Sequence, residues 1–227
     1  MTTLSITVNV LFLIITAAAI ALFVKAANSS KKTLFIISGW AMLQSMLAFV
    51  GFYKDLTAMP PRFIFLTGPA IICILILLLS KKGSSFVDEL QLKSLTLLHV
   101  VRIPVEIVLY YLYIQKLVPS AMTFEGHNPD ILSGISAMAI YYFCFVANKW
   151  SRKVLLVWNF ICLLLLLNIV AIAVLSAQTP FQQMAFDQPN IGVTYFPFVL
   201  LPSVIVPLVL LSHLAAIRQL TGQVSVK

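Results

Sequence analysis

The stretch LKSLTLLHVVRIPVEIVLYYLYIQKL, residues 92–117, combines an apolar helix of membrane-spanning length with a line of polar side chains. These polar residues recur at spacings of three and four, and they are His99, Arg102, Glu106, Tyr110 and Tyr113. At about 100° per residue they fall on one face within an arc of roughly 60°. An arginine or a glutamate near the middle of a membrane costs about 3 kcal/mol to insert. We therefore predict that this face points into a helical bundle and carries the function.

The composition of the whole chain predicts an all-α, polytopic membrane protein. Of its 227 residues, 61% are hydrophobic and 10% are charged, whereas a soluble domain carries about 25% charged residues. Nothing marks a second, soluble domain, so residues 1–227 are predicted to form a single transmembrane domain. Cys73, Cys144 and Cys162 lie in apolar runs and lack the spacing of a zinc or haem site. The sequence therefore predicts no cofactor and no structural disulfide.

Hydropathy predicts seven membrane-spanning helices of about 17–25 residues. Their bounds are 7–25, 33–53, 62–80, 94–116, 131–148, 153–176 and 195–217. If these helices alternate in direction, 11 of the 15 basic residues lie on one side and 3 on the other, with Arg102 inside the membrane. The larger set comprises Lys25, Lys31, Lys32, Lys81, Lys82, Lys93, Lys149, Arg152, Lys153, Arg218 and Lys227; the smaller set comprises Lys54, Arg62 and Lys116. The positive-inside rule then places the amino terminus outside and the carboxyl terminus in the cytoplasm.

Depth along the helices suggests which other polar side chains complete the site. At about 1.5 Å per residue, His99 and His213 each lie about one turn from the cytoplasmic surface, and Glu106 lies near the midplane. Gln44 and Tyr141 lie at the depth of Glu106. The predicted ligand-binding residues are therefore His99, Arg102, Glu106, Tyr110, Tyr113, Gln44, Tyr141 and His213. Glu106 is about two turns from His99 and no metal-binding motif occurs, so no metal site is predicted.

Arg102 and Glu106 have two interpretations. As residues i and i+4 they could neutralise each other along their own helix, with the tyrosines and Gln44 completing a static polar clamp. Alternatively, they serve a ligand. Arginine before glutamate is the less favourable order for an intrahelical pair, which slightly favours partners on other helices.

Prolines predict irregularities in two helices. Pro104 lies on the far side of the fourth helix and frees the carbonyl of Val100, which predicts a kink. Pro197, Pro202 and Pro207 recur in the seventh helix at intervals of five and predict further kinks. Such interruptions are found in the broken helices of transporters, and also in membrane proteins that transport nothing.

Two outer connections, residues 119–130 and 178–194, are longer than linkage requires. They could fold over the outer mouth of the bundle as a lid, or they could be plain connectors. In the first connection, Asn128 is expected to cap the fifth helix, Pro129 suits its first position, and Asp130 complements the helix dipole.

Two strings carry a resemblance to a protein family. The first is Arg102-x-Pro104-Val105-Glu106, and the second is MTFEGxNxDI, residues 122–131. Together they resemble small, uncharacterised seven-helix membrane proteins of bacteria. The resemblance covers some thirty residues. It implies the seven-helix topology and a multi-pass location in the bacterial plasma membrane, and it implies no particular substrate.

Three functions are compatible with these features. The first is binding or transport of a small anionic or proton-coupled ligand, with Arg102 holding an anionic group and Glu106 acting as counter-ion or titrating carboxylate. The second is a membrane-embedded enzyme acting on a lipid or isoprenoid, with Glu106 or His99 as general acid or base. The third is a non-catalytic subunit that docks another membrane protein or a second copy of the chain. The net charge of +8 is expected to favour the lipid bilayer as partner, and no nucleic acid.

Overall fold

The structure is a computed structural model that describes residues 6–55 and 58–222, and the described chain is all-α. Lys227, one of the basic residues counted above, lies outside the described residues. Helices are the expected form for these apolar runs, because a lipid environment offers no hydrogen-bond partners to an open backbone. The helices are α1 (Ile6–Ala26), α2 (Lys31–Phe49), α3 (Ile64–Leu79), α4 (Lys81–Asp88), α5 (Leu92–Leu98), α6 (Arg102–Ile114), α7 (Ile131–Tyr141), α8 (Arg152–Leu175) and α9 (Val206–Gly222).

Several of these segments are long and apolar enough to cross a membrane. Five meet that condition by length and hydropathy: Ile6–Ala26, Lys31–Phe49, Leu92–Ile114, Arg152–Leu175 and Leu201–Gly222. A bend of 90° joins α3 and α4, which could together form one broken span. The apolar segment Ile131–Val146 is shorter. The fold is thus an all-α bundle with the apolar helices of a multi-pass membrane protein, which confirms the predicted fold class at this level.

The interior of the bundle is built around α9, which packs against α8, α5 and α3. On the opposite side of α5, α1 presents Ala19 and Phe23, both of which are fully buried. Phe12 of α1 also contacts Phe198, with ring centroids 5.2 Å apart. Within this bundle, His99, Arg102 and Glu106 on the polar face of the segment Leu92–Ile114 are buried.

Two of the predicted irregularities are present. The segment Leu92–Ile114 is interrupted at His99–Val101 by a 3₁₀ turn that ends three residues before Pro104. The seventh predicted span is helical only from Leu200, and it begins with a π-helical turn, Leu201–Ile205, that contains Pro202. Missing proline N–H groups leave carbonyls free, and tightened or widened turns accommodate them.

The connection between α6 and α7 turns back into the bundle. Lys116 adopts φ 59°, and the N–H of Leu117 donates to the carbonyl of Leu112 at 2.9 Å, which ends the helix. Further along, Met122, Thr123 and Asn128 are buried. The second long connection lies over this one, since the N–H groups of residues 191 and 192 both donate to the carbonyl of Leu117, at 3.0 and 2.7 Å. Both connections are therefore packed parts of the fold.

Candidate functional site

Arg102 forms a buried ion pair with Asp130, not with Glu106. Its Nε donates to Oδ2 of Asp130 at 2.6 Å, and its Nη2 donates to Oδ1 of the same carboxylate. The side chains of Arg102 and Asp130 are 3% and 6% exposed. Two parallel bonds between guanidinium and carboxylate are the strongest arrangement available to this pair. The arginine charge is therefore met by the residue that precedes α7.

Two further partners complete the surroundings of Arg102. Its Nη1 lies 3.1 Å from Nε2 of His213, and its Nη2 lies 3.4 Å from the carbonyl oxygen of Cys162. Arginine can only donate, so Nε2 of His213 accepts and the imidazole is neutral. Its other nitrogen, Nδ1, then carries the proton and donates to Oδ1 of Asn159 at 2.9 Å. The Asn159 amide group donates in turn to the carbonyl of Leu155 at 2.9 Å.

His99 lies directly against His213. The two rings are stacked with their centroids 3.9 Å apart and an interplanar angle of 20°. Trp158 meets the edge of His99, with centroids 5.4 Å apart. His99 is 1% exposed, and its Nδ1 has no hydrogen-bond partner among the described residues. The two histidines thus extend the cluster from Arg102 toward the end of the helix that is predicted to be cytoplasmic.

Glu106 is less completely satisfied than Arg102. Its Oε1 accepts a hydrogen bond of 2.7 Å from Nδ2 of Asn128. Its Oε2 is buried and has no partner within the described residues. A cavity of about 70 Å³ lies beside Arg102, Glu106 and Asp130, and its other walls are mostly apolar side chains from α6, α8 and the first turns of the last helix. A space of this size can hold several water molecules.

Asn128 ties Glu106 to the start of α7. Its Nδ2 also donates to the carbonyl of Met122 at 3.0 Å, and its Oδ1 accepts from the N–H of Asp130 at 3.1 Å. One side chain therefore fixes the fold of the connection, the position of Glu106 and the approach of Asp130. Asn128 was expected to cap the fifth helix, but α7 begins at Ile131 and Asp130 is the residue before it. Asp130 also pairs with the buried arginine.

The close packing of α7 against α6 makes this arrangement possible. Gly134 lies one turn into α7, and a Cβ atom there would come within 2.7 Å of the Ile103 side chain and 3.0 Å of its backbone nitrogen. Only glycine lets the two helices approach this closely without displacement. Gly134 therefore brings the start of α7 within reach of Arg102.

The structure brings together some of the predicted site residues and separates others. His99, Arg102, Glu106 and His213 form one cluster, and the first three confirm that the polar face points inward. Tyr110 and Tyr113 lie further along the same helix, 6.2 Å apart between centroids, where Tyr110 stacks on Phe124. Their half-buried rings lie near the outer connections and not in the cluster.

Gln44 and Tyr141 lie elsewhere. The Gln44 amide donates to the carbonyl of Phe65 at 3.3 Å and accepts from the hydroxyl of Tyr53, forming a separate link between α2 and its neighbours. Tyr141 lies under the ammonium group of Lys93, 5.4 Å from the ring centroid, at the far end of α7. Gln44 and Tyr141 were predicted to lie at the same depth as Glu106, but their side chains are on helix faces that do not contact it.

Sequence reasoning missed Asp130 and Asn128 as members of the cluster. Both had a sufficient local explanation at the start of a helix, and both lie in a connection predicted to be outside the membrane. One signal in the sequence pointed to a further partner for Arg102. A buried arginine needs a counter-charge, and a glutamate that follows the arginine by four residues, as Glu106 does, is the less favourable arrangement for an ion pair within one helix.

Comparison with known proteins assigns the chain to a family. The sequence model of a family described as Domain of unknown function (DUF8737) matches residues 59–221. The chain belongs to this family. No curated protein and no solved structure matches the chain. The DUF8737 region contains α3 to α9, and therefore every residue of the Arg102 cluster, whereas α1 and α2 precede it.

Proposed function

We propose that this DUF8737 protein exchanges a proton at Glu106 and couples that exchange to the binding or transport of a small ligand. The observation that carries the proposal is the unpartnered Oε2 of Glu106 beside a cavity of about 70 Å³. A buried carboxylate oxygen without a partner is costly, and protonation or a bound hydrogen-bond donor removes that cost. Ionisable residues inside a membrane bundle commonly mark proton pathways or ligand sites.

The charges around the cavity favour a proton over an anionic ligand. The guanidinium group of Arg102 is already bound by Asp130, His213 and the carbonyl of Cys162. An anion would therefore have to displace Asp130 to reach Arg102. With Arg102 and Asp130 cancelling, the cluster is neutral when Glu106 holds a proton and carries one negative charge when it does not.

We place the two histidines on the route from Glu106 toward the cytoplasm, because they lie between Arg102 and the end of the helix that is predicted to be cytoplasmic. His213 contacts Arg102 through Nε2, and the ring of His99 is stacked against it at 3.9 Å. His99 also has a free nitrogen, Nδ1, which suits a group that accepts and passes on a proton. We include His99, Arg102, Glu106 and His213 in the proposed site, with Tyr110 and Tyr113 on its outer side.

The proposal includes seven membrane spans with the beginning of α1 outside. A helix lies in each of the seven predicted segments, although Ile131–Val146 is short and α3–α4 is bent. The distribution of basic residues, 11 against 3, supports the orientation. Single cysteines introduced into a cysteine-free background should be labelled from the cytoplasm in residues 81–93 and from outside in residues 178–194. The reverse pattern would overturn the orientation.

Infrared difference spectroscopy tests proton exchange directly. Spectra of the reconstituted protein, recorded across a pH titration, should show a protonated carboxyl band that disappears in Glu106→Gln. Glu125→Gln is the matched control, because Glu125 is exposed in the outer connection and should leave the band unchanged. The proposal fails if the wild type has no carboxyl band that depends on Glu106 at any pH where the protein is folded.

Proton flux tests the functional consequence. Liposomes containing the protein and a trapped pH indicator should acidify faster than empty liposomes under an imposed pH gradient or membrane potential. Glu106→Gln should reduce the rate to that of empty liposomes, and Glu125→Gln should not. A rate that exceeds that of empty liposomes equally in the wild type and in Glu106→Gln would show that Glu106 is not on the path of that flux.

A further inference from the structure

A second cavity lies on the other side of the bundle and has a different character. It has a volume of about 640 Å³ and lies between α2, α3, α4 and α9. Ligand sites are commonly apolar clefts of roughly 300–1,000 Å³ with a few polar groups at defined positions. This cleft shares no lining residue with the Arg102 cavity, so an inference drawn from it rests on the proposed membrane orientation but not on proton exchange at Glu106.

The cleft exists because α2 and α3 are linked at one end and separated at the other. Toward the outer end, the Gln44 amide of α2 donates to the carbonyl of Phe65, at the start of α3. Toward the other end the cleft lies between α2 and α3, and α3 stops at the 90° bend into α4. Gly83 allows this bend, since a Cβ atom there would come within 2.5 Å of the Leu77 backbone.

The walls of the cleft are apolar, and its lining includes positions open to the surroundings. Ile37, Ile74 and Leu208 contribute to the walls. Trp40 lies deeper, and its Nε1 donates to the carbonyl of Ser203 at 2.8 Å, which joins α2 to the start of the last helix. Ile36 is 61% exposed. A hydrocarbon chain could therefore enter the cleft sideways from the bilayer.

The charged lining lies at one end of the cleft only. Lys32, Ser30 and Thr33 come from the start of α2, and Lys82 and Ser80 come from the bend between α3 and α4. Both lysines are exposed and belong to the basic side of the bundle, which is predicted to face the cytoplasm. No acidic side chain lines the cleft among the residues that the structure describes. This end therefore complements a negatively charged group at the level of lipid head groups.

We propose that the cleft binds an acidic phospholipid of the cytoplasmic leaflet, with an acyl chain along the apolar walls and the phosphate between Lys32 and Lys82. At about 1.5 Å per residue, Lys32 and Trp40 lie roughly 12 Å apart along α2, which gives the acyl chain an apolar path below the head group. An amphipathic occupant of this kind matches both the apolar walls and the basic end.

Native mass spectrometry of the delipidated protein, titrated with phosphatidylglycerol or phosphatidylcholine, tests this proposal. The wild type should bind phosphatidylglycerol more tightly. Lys32→Gln combined with Lys82→Gln should reduce that affinity by about fivefold or more per lysine, since each lysine near an acidic lipid contributes about that factor. Lys31→Gln combined with Lys81→Gln is the matched control, because these neighbours carry the same charge but do not line the cleft. It should change the affinity less than twofold.

A filling variant tests the apolar part separately. Cys73 lines the cleft and is exposed, so Cys73→Trp should block the binding of both lipids while the protein keeps its elution volume and melting temperature. Equal affinity for the two lipids would overturn the proposal. Equal losses in the two lysine pairs would also overturn it, because they would indicate general surface attraction. A dimer mass in place of lipid adducts would assign the cleft to a second copy of the chain.

Discussion

Arg102 and Glu106 lie one turn apart on α6, and their surroundings differ in how completely each charge is satisfied. Arg102 has a bidentate carboxylate, a histidine and a carbonyl as partners. Glu106 has one hydrogen bond, from Asn128, and one oxygen without a partner among the described residues. In a lipid environment a fully partnered charge fixes structure, whereas a half-partnered one remains able to bind something else. The predictions below test that distinction.

Separating Arg102 from its partner should have the largest effect on stability. Asp130→Asn leaves the arginine without its counter-charge, and the expected loss is about 3–5 kcal/mol of unfolding free energy. Arg102→Met should cost a similar amount. The double variant Arg102→Met with Asp130→Leu should recover most of the loss, because a well-packed apolar pair can replace a buried ion pair. Reversible unfolding in detergent with increasing denaturant measures all three.

A double-mutant cycle makes this result decisive. Strong coupling between Arg102 and Asp130, and weak coupling between Arg102 and Glu106, is expected from the observed pairing. Stronger coupling between Arg102 and Glu106 would mean that these two residues form the ion pair within α6. Glu106 would then be partnered, and the proposed difference between the two residues would be wrong.

The approach of α7 to α6 should be almost as sensitive. Gly134→Ala places a methyl group within 2.7 Å of Ile103, and overpacking of this kind typically costs about 1–3 kcal/mol. The shift should also loosen the contact between Asp130 and Arg102. Gly39→Ala is the control, since Gly39 lies in a helix with nothing within 4 Å of the added Cβ. There alanine should be neutral or slightly stabilising. Equal effects of the two substitutions would contradict the close helix contact.

Glu106→Gln should change stability far less than the loss of Arg102. Glutamine keeps an oxygen that can accept from Asn128, and it removes the charge that the unpartnered oxygen carries. We expect a change within about 1 kcal/mol, in either direction. The same variant should lose the infrared carboxyl band described above. A loss of stability as large as that of Asp130→Asn would make Glu106 a structural residue and would remove the basis of the proposed function.

The sequence predicted the general fold and the inward face of α6 because both depend on local patterns. Apolar runs of sufficient length form helices, and a spacing of three and four places polar side chains on one face. Arg102, Glu106 and His99 are accordingly buried. Packing between distant segments determines which helices contact that face. The predicted depth of Gln44 and Tyr141 in the membrane was therefore not sufficient to place them beside Glu106.

The position of Asp130 shows the same limit more clearly. Arg102 and Ile114 are the first and last residues of α6, and they lie roughly 18 Å apart along its axis. The predicted outer connection reaches back over much of that length, so that α7 begins beside Arg102. A chain reversal into the bundle leaves no periodic signal in the sequence. The close packing at Gly134 that stabilises it became evident only from the three-dimensional contacts.

A similarly small effect on stability, and the sharpest test of the relay, is expected from His99. Phenylalanine preserves an aromatic ring to stack on His213 and to meet Trp158, so His99→Phe should cost less than about 1.5 kcal/mol. It also removes the unpartnered Nδ1, so no hydrogen bond is lost at that atom.

Phenylalanine cannot carry a proton. If His99 passes protons between Glu106 and the cytoplasm, proton flux in liposomes should fall while the melting temperature stays close to that of the wild type. His99→Gln should lower both the flux and the melting temperature, because its amide cannot take up a proton and it loses the stack on His213. Normal flux in His99→Phe would assign His99 to packing alone and place the route from Glu106 elsewhere.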